Sequence, residues 1–325
     1  MIKIVDLSKI KSILPKVDLI NEIEKGFVAY SNGEVVVPPV GELSFDSPPG
    51  DVHIKYGYIK NDDIYVIKIA SGFYKNSELN LPTGNGMIMV FDQKNGQPIA
   101  VLNDECYLTD VRTAIAGAIA AKHLSNPDST KAGIIGAGIQ AKLQLEALTL
   151  VRNIDTAFIW ARNSDKVNQF IKDVSKLNIN YKVCSSPEEV VKHSEIVVTT
   201  TPSKSSLIKN EWLKKGLHIT AMGSDAEEKN ELEPLIIKNC DQYIPDSLSQ
   251  TRILGELHHA IDKNIILPNE NFNELGNIIL DSNLGRNNKE DITVCDLTGT
   301  GVQDTAIARQ TYEIAMNLKL GTNIN

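Results

Sequence analysis

The chain reads as an α/β protein: a doubly wound parallel sheet joined to a mainly antiparallel α+β domain. Three observations predict this. Residues 131–142 read KAGIIGAGIQAK, a short apolar run, a glycine turn and the start of a helix. From there onward, strand-like and helix-like segments alternate with short connections, the pattern of a parallel sheet. Before about residue 118 the pattern differs, with extended alternating runs, hairpin punctuation and few helices.

In the first part, residues 17–31 place Leu19, Ile20, Ile23, Phe27 and Val28 at helical spacing. Strand-like runs follow at 35–37, 51–59, 64–71, 87–92 and 98–103. The last two flank Lys94-Asn-Gly-Gln97, where Asn-Gly signals a hairpin. Residues 109–124 form an alanine-rich helix that leads into the glycine turn and bridges the two domains. In the second part the expected strands are 132–135, 156–160, 181–184, 196–200, 218–222, 242–245 and 292–296, with helices such as 164–176 and 187–193 between them. A last helix, 302–318, follows Thr298-Gly-Thr-Gly301 and is expected to return to the first domain. The domain reading is therefore 1–118 with 302–325, and 119–301.

Composition narrows the function classes. The chain has 325 residues, 42% hydrophobic and 23% charged, with a net charge of −8. That is ordinary for a globular protein of two domains or one large α/β unit. No basic run is present, which argues against a nucleic-acid partner, since phosphate neutralisation needs clustered Lys and Arg. No apolar run approaches the ~20 residues of a membrane span. The N-terminus, MIKIVDLSKIKSILPKVDL, has no apolar signal-peptide core, so the expected location is the cytoplasm. Cys106, Cys184, Cys240 and Cys295 are widely spaced, with no C-x-x-C and no Cys/His pair at zinc-ligand spacing. Reduced thiols and no metal site are expected.

Gly136, Gly138 and Ala141 fit G-x-G-x-x-G/A between a strand and a helix, the Rossmann phosphate fingerprint. The first glycine permits the turn and the second lets the backbone approach a pyrophosphate. The small third position allows close helix–strand packing. Ile139 and Gln140 open the helix, whose free N–H groups would face the phosphates. By itself the motif also fits an ordinary strand–turn–helix corner. An NAD site commonly has an acidic residue at the end of the second strand, ~20 residues on, for the ribose 2′-hydroxyl. Here that strand ends Trp160-Ala-Arg162-Asn163-Ser164, with no acid. Arg162, with Asn163 and Ser164, suits a 2′-phosphate, so NADP(H) is the expected cofactor. The alternative is NAD(H) with Arg162 stacked on adenine.

Three further residues carry chemistry by type and setting. Lys68 is a charge inside the apolar run Tyr65-Val-Ile-Lys-Ile-Ala70, costly if buried unless it is paired. Arg112 sits at the start of the alanine-rich helix, and its planar fork suits a carboxylate. Asp225 follows Met222-Gly-Ser at the carboxyl end of a predicted parallel strand, where ligands bind in open α/β sheets. A carboxylate there can serve as a general base, or can simply cap the next helix.

Laid in order, these segments resemble the ornithine cyclodeaminase/μ-crystallin family over nearly the whole chain. The resemblance rests on Ile67-Lys-Ile69 followed by Gly72-Phe-Tyr and Leu81-Pro-Thr-Gly-Asn-Gly86, on Leu108-Thr-Asp-Val-Arg-Thr-Ala114, on Ile135-Gly-Ala-Gly-Ile-Gln-Ala141, on Gly223-Ser-Asp-Ala-Glu-Glu-Lys-Asn-Glu-Leu232, and on Leu297-Thr-Gly-Thr-Gly-Val-Gln-Asp304. It implies a homodimer built largely through the N-terminal sheet. It also implies a nicotinamide cofactor in the C-terminal domain and a small amino or imino acid in an interdomain cleft. The chemistry implied is hydride transfer at a carbon–nitrogen centre, as a cyclic imine or ketimine reductase or an amino-acid dehydrogenase. The alternative is redox-neutral cyclodeamination, ornithine to proline plus ammonia, with bound NAD. A cofactor-dependent binding protein without turnover is a third reading.

The resemblance assigns Lys68 and Arg112 to the substrate carboxylate and, for Lys68, proton transfer. It assigns Asp225 to the reacting amino group, Asp304 to the nicotinamide end of the cleft, and Thr83, with Asn85 and Gly86, to the nicotinamide or substrate. Two departures stand out. Gly41, in Val37-Pro-Pro-Val-Gly-Glu42, occupies the place of a family arginine. Within Gly50-Asp-Val-His-Ile-Lys-Tyr-Gly57, His53 replaces a cyclodeaminase-type carboxylate and Lys55 adds a positive charge. Both His53 and Lys55 are therefore expected at the substrate, in a pocket less suited to the distal ammonium of ornithine.

Overall fold

Long-range pairing, which no local pattern reports, draws both ends of the chain into one sheet in the computed structural model. The structure describes residues 1–73 and 75–324, so Tyr74 of the Gly72-Phe-Tyr motif lies outside the described residues. Two compact units divide the chain, Met1–Arg112 with Thr300–Asn325, and Thr113–Gly299. The division falls inside a helix, between Arg112 and Thr113, where the sequence reading placed it after residue 118.

The first unit begins with β1 (Ile2–Asp6), α1 (Leu7–Ile13) and α2 (Leu19–Ser31). Then come β2 (Val35–Val36), β3 (Gly41–Asp46), β4 (Pro49–Ile59), β5 (Ile64–Phe73), β6 (Gly84–Asp92) and β7 (Pro98–Asn103). α3 (Tyr107–Leu124) leaves this unit. The second unit holds β8 (Lys131–Ile135), α4 (Ile139–Leu148), β9 (Thr156–Trp160), α5 (Ser164–Asp173), β10 (Asn180–Val183), α6 (Pro187–His193), β11 (Ile196–Thr199) and β12 (His218–Ala221). It continues with α7 (Leu235–Asn239), β13 (Gln242–Pro245), α8 (Leu248–Thr251), α9 (Gly255–Asp262), α10 (Leu275–Leu280) and β14 (Thr293–Asp296). α11 (Gly301–Asn317) and β15 (Thr322–Ile324) return the chain to the first unit.

The first sheet runs β15-β1-β7-β6-β5-β4-β2, with β3 also paired to β4. It is antiparallel except for the parallel pair β1 and β7. The sequence reading lacked β1, α1, β3 and β15. The Asn-Gly signal did mark the β6–β7 hairpin, but the connection spans residues 93–97 rather than two residues. Asp92 Oδ1 accepts from the amides of Lys94 and Asn95, and Gly96 takes a φ of +74°.

Register sorts this sheet into two unlike faces. His53, Lys55 and Gly57 pair with Ala70, Lys68 and Val66, which continue into Gly86, Ile88 and Val90. Successive residues of a strand alternate faces, so these share one face. There Val66, Ile88, Val90, Ala100 and Leu102 are buried against Ile307, Ala308 and Ala315 of α11. The opposite face carries Ile54, Tyr56, Ile67, Ile69, Met87 and Met89.

The second sheet runs β10-β9-β8-β11-β12-β14-β13 and is parallel throughout. Strand order reverses between β8 and β11, the switch point at whose carboxyl end doubly wound sheets bind ligands. Strands buried on both faces read as continuous apolar runs. Accordingly Ile135, Val197, Ile219 and Val294 pack into one core, and Ala132, Ile134, Ile196 and Val198 into the other. Among the described residues no helix is long and apolar enough to cross a membrane, and no group of His, Cys, Asp and Glu side chains is placed to hold a metal. The four cysteines are free.

Candidate active site

Two lysines stand directly opposite each other on the inner face of the first sheet, Lys55 on β4 and Lys68 on β5. Like charges in such a pair repel unless an anion joins them. The anion comes from the first turn of α11. Lys68 Nζ lies 2.8 Å from Asp304 Oδ2, and Arg112 Nε donates to Asp304 Oδ1 at 2.9 Å. Arg112 Nη1 also donates to Gln303 Oε1 at 2.7 Å. The three charged side chains are nearly water-free, 3% exposed for Lys68, 5% for Arg112 and 1% for Asp304.

One carboxylate thus serves two buried cations, and Lys55 adds its field to the same carboxylate. Burial and then Arg112 and Lys55 outweigh the attraction of Asp304 and hold the Lys68 ammonium down at about 7. Burial works to raise Asp304, but Arg112, Lys68 and Lys55 together keep it below the usual carboxylate range. Asp104, at the turn before α3, accepts from the Leu108 amide at 2.9 Å and is pushed up to about 6, chiefly by burial. Lys68 and Arg112 share one directly bonded carboxylate in a dry setting. Such a place favours one further carboxylate.

The structure therefore brings Lys68, Arg112, Asp304 and Lys55 together. Asp304 is the shared counter-ion of the two predicted carboxylate ligands, where the sequence reading set it at the nicotinamide. His53 sits one step along the same face from Lys55, its ring nitrogens 4.0 Å from Glu42 and from Asp51. The β3–β4 register sets Glu42 opposite His53. Gly41 pairs with Ile54 and so belongs to the outer face, away from Lys68. Thr83 is exposed, and its carbonyl accepts from the Phe73 amide at 2.8 Å. Gln303 and Asp104 were not singled out from sequence. Only their places, beside Asp304 and just ahead of the helix that bears Arg112, hinted at them.

In the second unit the glycine turn has the geometry its sequence suggests. Gly136 follows β8 with φ +126°, and a Cβ there would meet Thr200 Oγ1 at 2.4 Å. Only glycine satisfies both demands. Its amide donates to the Trp160 carbonyl at 2.8 Å, tying the turn to the end of β9. Gly138 is the N-cap of α4, no side chain caps that end, and a methyl on Gly138 would meet nothing within 4 Å. Open space above uncapped helix N–H groups fits a pyrophosphate. Ile139 is 59% exposed at the same end, Gln140 is half-buried, and Ala141 is buried against the strand as close packing requires. Arg162, Asn163 and Ser164 are exposed just beyond β9. The Asn163 side-chain Oδ1 caps α5, accepting from the amides of Asp165 and Lys166, so that oxygen has a structural role.

Asp225 lies in the segment after β12, half-exposed, with Lys229 Nζ 2.6 Å from its Oδ1. Gly223, two residues before it, leaves the strand end at the carboxyl edge of the sheet.

A doubly wound sheet with an open glycine corner, and a separate unit presenting a desolvated cation cluster, define a two-unit dinucleotide-fold protein. The chain belongs to the ornithine cyclodeaminase/mu-crystallin family, whose model matches residues 3–319. It is 45% identical over 324 residues to a protein of Sinorhizobium fredii named as an uncharacterised cyclodeaminase, covering 98% of each chain. Its fold matches that of an archaeal alanine dehydrogenase dimer with bound NAD, with a TM-score of 0.90 and 30% identity over 100% of this chain and 99% of that one. It also matches Thermococcus litoralis Δ1-pyrroline-2-carboxylate reductase in complex with NADH and L-proline, with a TM-score of 0.92 and 27% identity over 99% of this chain and 100% of that one.

Proposed function

We propose that this protein is a homodimeric NAD(P)-dependent oxidoreductase that moves hydride to or from the Cα–N centre of a small amino or imino acid. The observation that carries the reading is the buried Lys68–Asp304–Arg112 cluster, in which two cations share one directly bonded carboxylate. A substrate carboxylate adds another, held by Lys68 and Arg112 with Lys55 close by. Lys68, poised at about 7, can also give or take a proton at neutral pH. Asp225 is the proposed group for the proton on the reacting nitrogen.

The glycine corner would hold the pyrophosphate, with Gly136 shaping the turn, Gly138 leaving room, and Ile139 and Gln140 presenting their amides. When bound, the nicotinamide supplies or accepts the hydride. The 2′ end of the cofactor is read by Arg162, exposed beyond β9 with no acidic neighbour at the strand end, and this supports NADP(H) over NAD(H). Ser164 at the start of α5 offers a hydroxyl to the same phosphate.

The test is a titration with NADPH and NADH in parallel, followed by mixing the better one with Δ1-pyrroline-2-carboxylate. The expected result is tighter NADPH binding and rapid loss of nicotinamide absorbance. Arg162→Ala should weaken NADPH about ten- to hundredfold and leave NADH nearly unchanged, as charge-assisted hydrogen bonds of ~1.5–3 kcal/mol are removed. NAD binding without net turnover, together with ammonia release from ornithine, would overturn this reading in favour of the cyclodeaminase cycle.

A further inference from the structure

The acidic side chain of Glu231 is fully buried yet meets no cation among the described residues' ion pairs; it meets donors from two loops instead. Its Oε2 accepts from Thr199 Oγ1 at 2.6 Å and from the Gly223 amide at 2.7 Å. Its Oε1 accepts from the Thr201 amide at 2.6 Å and from Thr201 Oγ1 at 2.7 Å. Thr199 ends β11 and Thr201 lies in the loop after it, whereas Gly223 follows β12. One carboxylate therefore fastens the outgoing loops of two adjacent strands at the edge where this sheet takes ligands. The junction has no slack, since a Cβ on Gly223 would lie 2.3 Å from the Thr201 carbonyl and 2.5 Å from Glu231 Cδ.

The clamp is itself held from behind. The Glu231 amide donates to Glu256 Oε1 at 2.8 Å, and Leu232 N and Asn230 Nδ2 reach Glu256 Oε2 at 3.1 and 2.7 Å. The Glu256 amide in turn donates to Asp296 Oδ2 at 2.8 Å, at the end of β14. Buried groups tied by this many hydrogen bonds favour one arrangement of the chain.

We propose that Glu231 is a positioning residue for the reaction: by locking the loops after β11 and β12 to each other, it sets the place of Asp225, two residues beyond Gly223. This inference rests on the catalytic reading of Asp225 given above. All four groups on Glu231 donate, so both oxygens must accept. Glutamine has one oxygen, and its amide N–H would oppose a donor from one of the two loops.

The experiment compares the wild-type chain with Glu231→Gln by amide hydrogen exchange, NADPH binding, and steady-state reduction of Δ1-pyrroline-2-carboxylate. The expected result is faster exchange confined to the Thr201 and Gly223 segments and full NADPH stoichiometry. With these, kcat should fall about 10- to 100-fold with KM nearly unchanged, the size expected for a small misplacement of a reacting group. Unchanged exchange and kcat, or exchange raised evenly over the whole parallel sheet with kcat per NADPH-binding molecule unchanged, would overturn the proposal. Should Glu231→Gln fail to fold, Thr199→Val removes one of the four bonds and Thr199→Ser restores it. A drop in kcat reversed by serine supports the clamp, and equal rates for both refute it. If the wild type binds NADPH but reduces no imine, the functional reading fails, and the exchange at Thr201 and Gly223 alone decides the clamp.

Discussion

Lys68 shows how a single residue's setting shifts its protonation. Burial of its ammonium, with the charges of Arg112 and Lys55, outweighs the attraction of Asp304, so it titrates at about 7 rather than at 10.5. In the proposed reaction the charged form holds a carboxylate and delivers a proton. Reduction should therefore be flat below about pH 7 and fall tenfold per unit above it. Lys68→Met should abolish that limb and lower kcat/KM by roughly 10²- to 10⁴-fold, the usual range for a lost acid–base group. NADPH affinity should persist, since the glycine corner belongs to the other unit. Asp304→Asn removes the anion that favours the charged lysine, so the surviving pH limb should move below 7. A profile flat from pH 6 to 9 in the wild type would show that Lys68 does not control the rate. Sequence pointed to Lys68 and Arg112 because a lysine in an apolar strand and an arginine at a helix start each need an explanation. It did not show that Asp304 answers for both, because residues 68, 112 and 304 meet only through the fold.

The glycine corner tests what an element requires. Gly136 and Gly138 both belong to the motif, yet the structure gives them different duties. Gly136→Ala forces a side chain into φ +126° and against Thr200, and should cost about 1–3 kcal/mol of stability, read as a lowered melting temperature. Gly138→Ala meets open space at φ −87°, so the fold should keep its melting temperature while NADPH binding weakens tenfold or more as the methyl enters the phosphate's place. Equal effects of the two substitutions on stability would contradict this division. The elements here were legible because each carries its own signal. β9, β13, β7 and α6 begin and end where alternation, apolar runs and flanking turn residues put them. β1 and β15 were not legible. They pair Ile2 with Ile324 across the length of the chain, and three to five residues hold no periodicity to read. β3 was hidden by its surroundings, because Pro and Gly on either side of it punctuate like a loop while its partner strand supplies the order.

At the scale of the whole molecule the first sheet leaves one face unexplained by its own chain. Leu43, Phe45, Tyr56, Tyr58 and Met87 are 54%, 42%, 37%, 37% and 39% exposed, and the register places them all on the face opposite Lys68. Single exposed apolar residues are ordinary, but large ones collected on one sheet face mark an interaction surface. Tyr65 and Phe91 continue the same face, stacked with centroids 4.8 Å apart, so the apolar character extends over several strands. The proposed homodimer would cover it with a second copy through a two-fold axis, since such an interface joins the same patch on both subunits. The wild type should therefore sediment at twice its 35.7 kDa chain mass. Tyr56→Asp combined with Met87→Asp adds charge to the middle of that face and touches none of the inner-face cations. It should shift the protein to monomer at micromolar concentration, because desolvating an unpaired carboxylate at an interface costs several kcal/mol. The glycine corner belongs to the other unit, so NADPH binding should survive dissociation. A wild type that sediments as a monomer, or a double variant that remains a dimer with unchanged affinity, would place the interface elsewhere and leave the apolar face without an occupant.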